Sequence, residues 1–449
     1  MIQLTLAQAA TLLDQSTALQ TSFQGISIDT RTLQPGNLFI AIKGEQADGH
    51  DFLAEAYQKG AAAAIVDRQL PVPIPQLVVA DTTTTLGKLG AAWRNQFSLP
   101  IVAITGSNGK TTLKNMMAAI LVAACHNDSA QVLATKGTLN NHWGLPLTLA
   151  CLNNQHRYAV IEMGMNHFGE IDYLTQLTKP DVAIITNAAA SHLEGVGDVA
   201  GVARAKSEIF NGLTEKGIAI LNRDDVFFPF WREQIGDRPY LTFGFHPDAD
   251  VTTESQTSTE MTILLRTPPG SLQISLPLLG RHNLLNALAA TAAALAMGID
   301  LAAIKSGLEH ITPAPGRVQL HTLANGVNVI DDTYNANPFS LLAAVETLAA
   351  FTGKKILVLG DMKELGANAE SFHSDAGGQI RQAGIDYLFT YGNLSKNAAQ
   401  TFGEGACHFS EQHELVDALK PLLYNTTTIL VKGSRSMRME KVIAELLRA

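Results

Sequence analysis

Short, nearly unbroken apolar runs alternate along this chain with longer stretches whose apolar positions recur every three to four residues. The first pattern predicts strands buried on both faces, the second predicts amphipathic helices packed over them, and their alternation predicts α/β layers. Up to about residue 97, strands are expected at 26–29, 38–42, 62–67 and 77–80, with helices at 51–59 and 83–96. Ser98-Leu99-Pro100 reads as a boundary, because proline resets the chain before a new apolar run. The next stretch opens with a strand at 101–104 and a helix at 113–124, then repeats strands at 132–135, 158–162, 182–187 and 218–222. Between 251 and 276 the texture becomes Thr/Ser-rich, which predicts a short antiparallel addition; helices at 283–297 and 301–310 follow. Thr312-Pro313-Ala314-Pro315-Gly316 is the second boundary, since two prolines and a glycine cannot continue a helix. Beyond it, strands at 327–331, 356–359, 387–390 and 428–431 with helices between them predict an open, doubly wound, Rossmann-like sheet. The expectation is an α/β chain of three domains: 1–98, 99–313 and 314–449.

Composition sharpens this only by exclusion. With 46% apolar and 16% charged residues the chain is an ordinary core-former. A formal charge of -9 argues against a nucleic-acid partner, which would call for a basic stripe. It does not argue against phosphate binding, which needs backbone N–H groups and one lysine. The three cysteines, Cys125, Cys151 and Cys407, show no paired spacing, so neither a disulfide framework nor a zinc site is expected. The first residues lack a basic start and a long apolar run, and no run reaches the ~18 apolar residues of a membrane span. No membrane insertion is expected, and a cytoplasmic location is.

Chemistry concentrates at the predicted strand ends. Thr105-Gly106-Ser107-Asn108-Gly109-Lys110-Thr111-Thr112 lies between an apolar strand and a helix. That is the setting of a P-loop: glycines let backbone N–H groups turn onto phosphates, lysine reaches the outer phosphates, and a threonine hydroxyl can meet Mg²⁺. Ile104 stands where the longer P-loop pattern has its first glycine, so a structural turn is the competing reading. Glu162 closes a strand, where a carboxylate either holds a cation or caps a neighbouring helix. His192 is either a ligand or a plain loop residue, and Lys206, on a helix expected at 202–210, is either functional or a solvated charge. Asp331 to Pro338, Gly360 to Gly366 and Lys432 to Arg435 form three further polar clusters at strand ends of one sheet. That is the edge at which such sheets bind ligands.

Taken together and in order, these motifs resemble the Mur ligase family, the amide-forming ligases of peptidoglycan precursor synthesis. The family's P-loop has the shorter form seen here. Glu162, His192, Lys206, Asn283 within Gly280-Arg281-His282-Asn283-Leu284-Leu285-Asn286, and Arg317 after Pro315-Gly316 match positions that the family uses. Ser27 to Arg31, Pro35 to Ala41 and Asp48 to Phe52 are similar to its UDP-sugar domain, and Asn140 to Pro146 to its central substrate loop. Asp331 to Pro338 and Gly360 to Gly366 are similar to the segments of the member whose amine substrate is D-alanyl-D-alanine.

The resemblance implies a UDP-muramoyl substrate domain, a central P-loop ATPase-like domain and a C-terminal domain that binds the incoming dipeptide. It implies that ATP lies on Gly106, Ser107, Asn108, Gly109, Lys110, Thr111 and Thr112, with Asn283 and Asn286 at the adenine. Arg317 and Asp332 would close on the nucleotide from the third domain. Thr111, Glu162, His192 and Lys206 would serve two Mg²⁺ sites, with Lys206 carbamylated by CO₂, and Lys110, Glu162, His192, Lys206 and Arg317 would form the catalytic set. Ser27, Asp29 and Arg31 would meet uridine; Asn140, Asn141, Tyr334, Asn335 and Asn337 would meet the rest of the substrates. The implied reaction joins UDP-N-acetylmuramoyl-tripeptide to D-alanyl-D-alanine through an acyl phosphate, in a monomer whose second and third domains close together. Rival readings are a sister ligase adding the third residue, a folylpolyglutamate synthase-like ligase, and, from another class, a P-loop kinase or nucleotide-binding regulator.

Overall fold

The computed structural model describes residues 1–255, 262–424 and 426–448. Three parallel-based α/β units follow one another. In the first, strands Ile26–Ser27, Leu38–Ile40, Ala63–Val66 and Gln76–Val78 lie side by side in chain order, all parallel. An antiparallel pair, Gln3–Thr5 with Ser22–Gln24, flanks them, joined through the helix Leu6–Leu12. This opening element was not expected from the sequence: its strands are three residues long and half-exposed, so they carry no readable period.

The first unit is pinned to the second by the helix Thr82–Arg94, whose start is capped by Asp81 accepting from the Thr84 N–H. A Cβ on its Gly87 would lie 1.8 Å from the Tyr173 hydroxyl, and one on Gly90 3.0 Å from Pro146, so only glycine permits this approach. Trp93 Nε1 donates to the Leu152 carbonyl at 3.0 Å and Arg94 Nε to that of Thr178 at 2.6 Å.

The second unit is a six-stranded, wholly parallel sheet in the order Tyr240–Phe243, Ile218–Asn222, Val182–Ile185, Ile101–Thr105, Tyr158–Glu162, Val132–Ala134. Alternation within the strand Ile101–Thr105 sends Val102 and Ile104 to one apolar layer and Ile101 and Ala103 to the other. Both faces are covered, which is why these strands read as unbroken apolar runs. The strand expected at 182–187 ends at Ile185, and Thr186 and Asn187 turn off to brace the P-loop. The helix expected at 202–210 is displaced: it runs Val199–Ser207, capped by Asp198, and continues as 3₁₀ turns over Glu208–Gly212. The antiparallel addition comprises Thr252–Thr253, Ile263–Thr267 and Gly270–Ile274; residues 256–261 of the stretch expected to form it lie outside the described residues.

The third unit orders its strands Gln319–Thr322, Asn328–Asp332, Thr427–Lys432, Lys354–Gly360, Tyr387–Tyr391, Ala406–Phe409. All pairs are parallel except the first, an antiparallel edge. The two edge strands are half-exposed and were not expected. Leu357 and Leu359 face one apolar layer, Ile356 and Val358 the other. Among the described residues, no helix is long and apolar enough to cross a membrane.

Candidate active site

A cavity of about 740 Å³ lies where the strand ends of the second and third units face each other. Its floor is the loop between the strand Ile101–Thr105 and the helix Lys110–Ala124. Gly106 (φ +149°) and Gly109 (φ +84°) hold backbone shapes that L side chains rarely adopt. Contacts leave no room either, since a Cβ on Gly106 would lie 1.7 Å from Thr186 Oγ1 and one on Gly109 2.5 Å from Asn286 Oδ1. The neighbouring strand end braces the loop: Thr186 Oγ1 donates to the Asn108 carbonyl at 2.6 Å, and Asn187 Oδ1 accepts from the Asn108 N–H at 3.0 Å. Ser107 Oγ accepts from the Ala189 N–H at 3.0 Å. The loop therefore delivers the open N-terminus of a 15-residue helix to the cavity, a site suited to anions.

Lys110 folds back so that Nζ donates to the Gly106 carbonyl at 2.7 Å. Desolvation lowers its pKa, partly offset by Glu162. Thr111 Oγ1 lies 3.3 Å from Glu162 Oε1, which also accepts from Asn140 Nδ2 at 2.9 Å. Glu162 is 1% exposed, and its other oxygen, Oε2, is buried with no hydrogen-bond partner. The nearest cation to that oxygen is Lys114 Nζ at 4.0 Å, itself donating to the Thr135 carbonyl at 2.8 Å. A carboxyl oxygen left unpaired in the interior is costly, so this position fits a cation supplied with the ligand. Among the described residues no three His, Cys, Asp or Glu side chains gather as a metal centre, so such an ion would draw further oxygens from phosphate and water.

His192 lines the cavity with φ +54°, and burial, with Lys110 and Lys206 nearby, pushes its pKa down to about 4. Lys206 does not line the cavity; it lies beneath, 2% exposed, and burial together with Lys110 brings its amine well below the usual lysine range. It is not a solvated helix charge.

The third unit supplies the roof. Arg317 Nη2 reaches Thr111 Oγ1 at 3.3 Å, and its guanidinium stacks 4.1 Å over the Tyr334 ring. Asn337 Nδ2 donates to Asn108 Oδ1 at 2.9 Å, joining roof and floor. Asp332 is held by Lys432 Nζ at 2.6 Å. Asn283 and Asn286 also line the cavity; Asn283 Nδ2 donates to the Leu279 carbonyl, just ahead of their helix, at 2.7 Å, and Asn286 Nδ2 lies 3.4 Å from Asn283 Oδ1.

Of the residues singled out in the sequence, the cavity gathers Ser107 to Thr112, Asn140, Glu162, His192, Asn283, Asn286, Arg317, Asp332, Tyr334, Asn335 and Asn337. Ser27, Asp29 and Arg31 stand apart in the first unit, Asp29 paired with Arg31 at 2.7 Å. Two expected substrate contacts have other work in this structure. Asn141 Oδ1 accepts from the Gly144 N–H at the start of the helix Gly144–Leu149. Asn337 spends its amide on Asn108 and on the Ser340 N–H that opens the helix Pro338–Ala349. Sequence reasoning did not single out Lys114, Thr186 or His282. Lys114 had a signal, lying one helical turn beyond Lys110. His282, whose Nδ1 is buried without a partner and whose pKa burial lowers to about 4, had none.

Three family models match the chain in order: "Mur ligase family, catalytic domain" over residues 22–95, "Mur ligase middle domain" over 104–294, and "Mur ligase, glutamate ligase domain" over 316–435. The UDP-N-acetylmuramoyl-tripeptide--D-alanyl-D-alanine ligase of Escherichia coli (strain K12) is 44% identical over 452 residues, covering 99% of each chain. Among solved structures, MurF from Acinetobacter baumannii superposes with a TM-score of 0.92 at 37% identity, covering 100% of both chains. The MurF ligase of Thermotoga maritima, solved in complex with ADP, does so with a TM-score of 0.83 at 28% identity over 95% of this chain and 97% of that one. With identity running the full length and all three units matched in order, the chain belongs to the Mur ligase family.

Proposed function

We infer that this enzyme joins D-alanyl-D-alanine to UDP-N-acetylmuramoyl-tripeptide at the expense of ATP, giving UDP-N-acetylmuramoyl-pentapeptide, ADP and phosphate. The observation that carries this is the full-length similarity to a ligase of that name, together with a cavity that sets a P-loop opposite a third-domain arginine. A carboxylate cannot be attacked directly by an amine at neutral pH, because its oxygen is a very poor leaving group. The tripeptide carboxylate therefore attacks the γ-phosphorus of ATP, the bond to ADP breaks, and an acyl phosphate forms. The dipeptide nitrogen then attacks the acyl carbon and the C–O bond to phosphate breaks, its electron pair leaving with phosphate. Two of the three ammonium protons leave in the process.

The residues take these parts in this reading. The N–H groups at the start of the helix Lys110–Ala124 hold the phosphates, Lys110 swings from the Gly106 carbonyl to the outer phosphates, and Arg317 neutralises charge from the other side. Thr111, Glu162 and His192 are the groups that would hold Mg²⁺, and the unpartnered Glu162 Oε2 fits that role. Magnesium would supply charge neutralisation on the transferring phosphoryl group. Asn283 and Asn286 face the adenine, Asp332 the nucleotide, Ser27, Asp29 and Arg31 the uridine, Asn140 the muramoyl tripeptide, and Tyr334 and Asn335 the dipeptide.

Lys206 is carbamylated in this reading. A neutral amine adds CO₂ and releases one proton, and burial, by lowering the pKa of this amine, favours its neutral form. The carbamate would then face Lys110 as an anion. We assign residues 1–98 to the UDP-muramoyl substrate, 99–313 to ATP and 314–449 to the dipeptide, in a cytoplasmic monomer. The test is product mass: incubation with Mg-ATP and both substrates should give the UDP-muramoyl pentapeptide. Product with a single amino acid or glutamate, and none with the dipeptide, would move the chain to a sister ligase.

A further inference from the structure

Beside the nucleotide cavity lies a second one, of about 550 Å³, within the third unit. Asn335, Lys363 and Glu364 line both, whereas Arg435, Arg438 and Glu440 line only the second. The charges are unevenly engaged. Lys363 Nζ is paired with Asp361 at 2.9 Å, and Arg435 Nη1 lies 3.4 Å from Glu440 Oε1. Arg438 has no ion-pair partner among the described residues. Glu364 has only His192 Nδ1 at 3.6 Å, beyond hydrogen-bonding range, and its side chain is 68% exposed. Both unengaged residues hold left-handed backbones, φ +64° at Glu364 and +52° at Arg438, a strain that structures keep where the surroundings or the function demand it.

This cavity therefore offers a free carboxylate on the wall shared with the nucleotide cavity and guanidinium groups that line the second cavity alone. A short zwitterion with an ammonium at one end and a carboxylate at the other matches that polarity. The orientation also matters, because the acyl phosphate forms in the nucleotide cavity and the reacting nitrogen must reach it. We propose that Glu364 binds the ammonium of the incoming dipeptide at the junction of the two cavities, while Arg435 and Arg438 hold its carboxylate, so that the nitrogen faces the acyl carbon. This rests on the ligase reading above and deepens it. Glu440 is the rival acceptor, since its Oε2 is buried without a partner; but it does not reach the nucleotide cavity, and an ammonium seated there would be turned away from the reaction.

The test compares two probes in the full-length enzyme with Mg-ATP and UDP-muramoyl tripeptide: D-alanyl-D-alanine as substrate, and its analogue with a hydroxyl in place of the ammonium as competitive inhibitor. Glu364→Gln keeps shape and removes charge. It should raise KM for the dipeptide roughly 10- to 100-fold, the usual worth of a charged hydrogen bond, and change the analogue's inhibition constant less than about 3-fold. Arg438→Ala should weaken both probes by similar factors, because both carry the carboxylate. If Glu364→Gln weakens both probes equally, or if Glu440→Gln rather than Glu364→Gln separates them, the assignment is overturned. If the wild-type enzyme releases no phosphate with the dipeptide, the ligase reading itself falls, and this one with it.

Discussion

Replacing Gly106 with alanine tests the architecture of the phosphate loop, because two independent penalties converge there. The backbone sits at φ +149°, a shape nearly closed to L residues, worth about 1–3 kcal/mol of strain. The new methyl would also lie 1.7 Å from Thr186 Oγ1, which must swing away and give up its 2.6 Å hydrogen bond to the Asn108 carbonyl. That loss adds about 1 kcal/mol. The middle domain should therefore be destabilised by about 2–4 kcal/mol, read from the urea transition that the fully buried Trp231 reports, and Mg-ATP should bind more weakly. A double-mutant cycle isolates the clash. Thr186→Ala removes Oγ1 but leaves a Cβ 2.9 Å from the added methyl, so relief is partial. The Gly106→Ala, Thr186→Ala double variant should be more stable than the sum of the single changes by about 1 kcal/mol. Additivity within about 0.5 kcal/mol would refute the contact as the cause.

Three more outcomes are expected. Glu162→Gln replaces the proposed cation ligand with an amide and should raise the Mg²⁺ concentration for half-maximal phosphate release roughly tenfold, the scale of a lost charged contact; an unchanged Mg²⁺ titration would remove Glu162 from the ion site. Enzyme stripped of CO₂ should lose activity and recover it with bicarbonate, whereas Lys206→Ala should stay inactive in both conditions; activity indifferent to CO₂ would argue against carbamylation. His282 has a folded-state pKa near 4 against about 6.5 unfolded, so the unfolded chain binds the extra proton between those values. Its stability contribution is present above pH about 6.5 and is lost as pH falls toward about 4. His282→Gln should flatten the fall in thermal midpoint across that window, and a profile as steep as wild type would contradict it.

The interior strands were legible because burial on both faces leaves an unbroken apolar signature, as in Ile101–Thr105 and Thr427–Lys432. Edge elements were not. Gln319–Thr322 and Ala406–Phe409 are half-exposed, and their identity as strands comes from a partner far away in the chain. The same division holds in the site. The phosphate loop carries its shape in local glycines, so it could be read directly. Thr186 and His282 act only through contacts that the fold creates, such as Thr186 against Asn108, and no local pattern announces them. Lys206 illustrates the limit from the other side: its helix looked like a surface helix, and only the depth at which it packs makes its amine unusual.

Activation of the tripeptide carboxylate as an acyl phosphate requires one of its oxygens to leave with the phosphate. The measurement that tests it most directly is oxygen transfer from UDP-muramoyl tripeptide carrying ¹⁸O in its terminal carboxylate. With Mg-ATP and D-alanyl-D-alanine, each phosphate released should carry one ¹⁸O, and the pentapeptide should appear in equal amount. Phosphate free of the label, or labelled phosphate that forms only when a single amino acid replaces the dipeptide, would contradict the account.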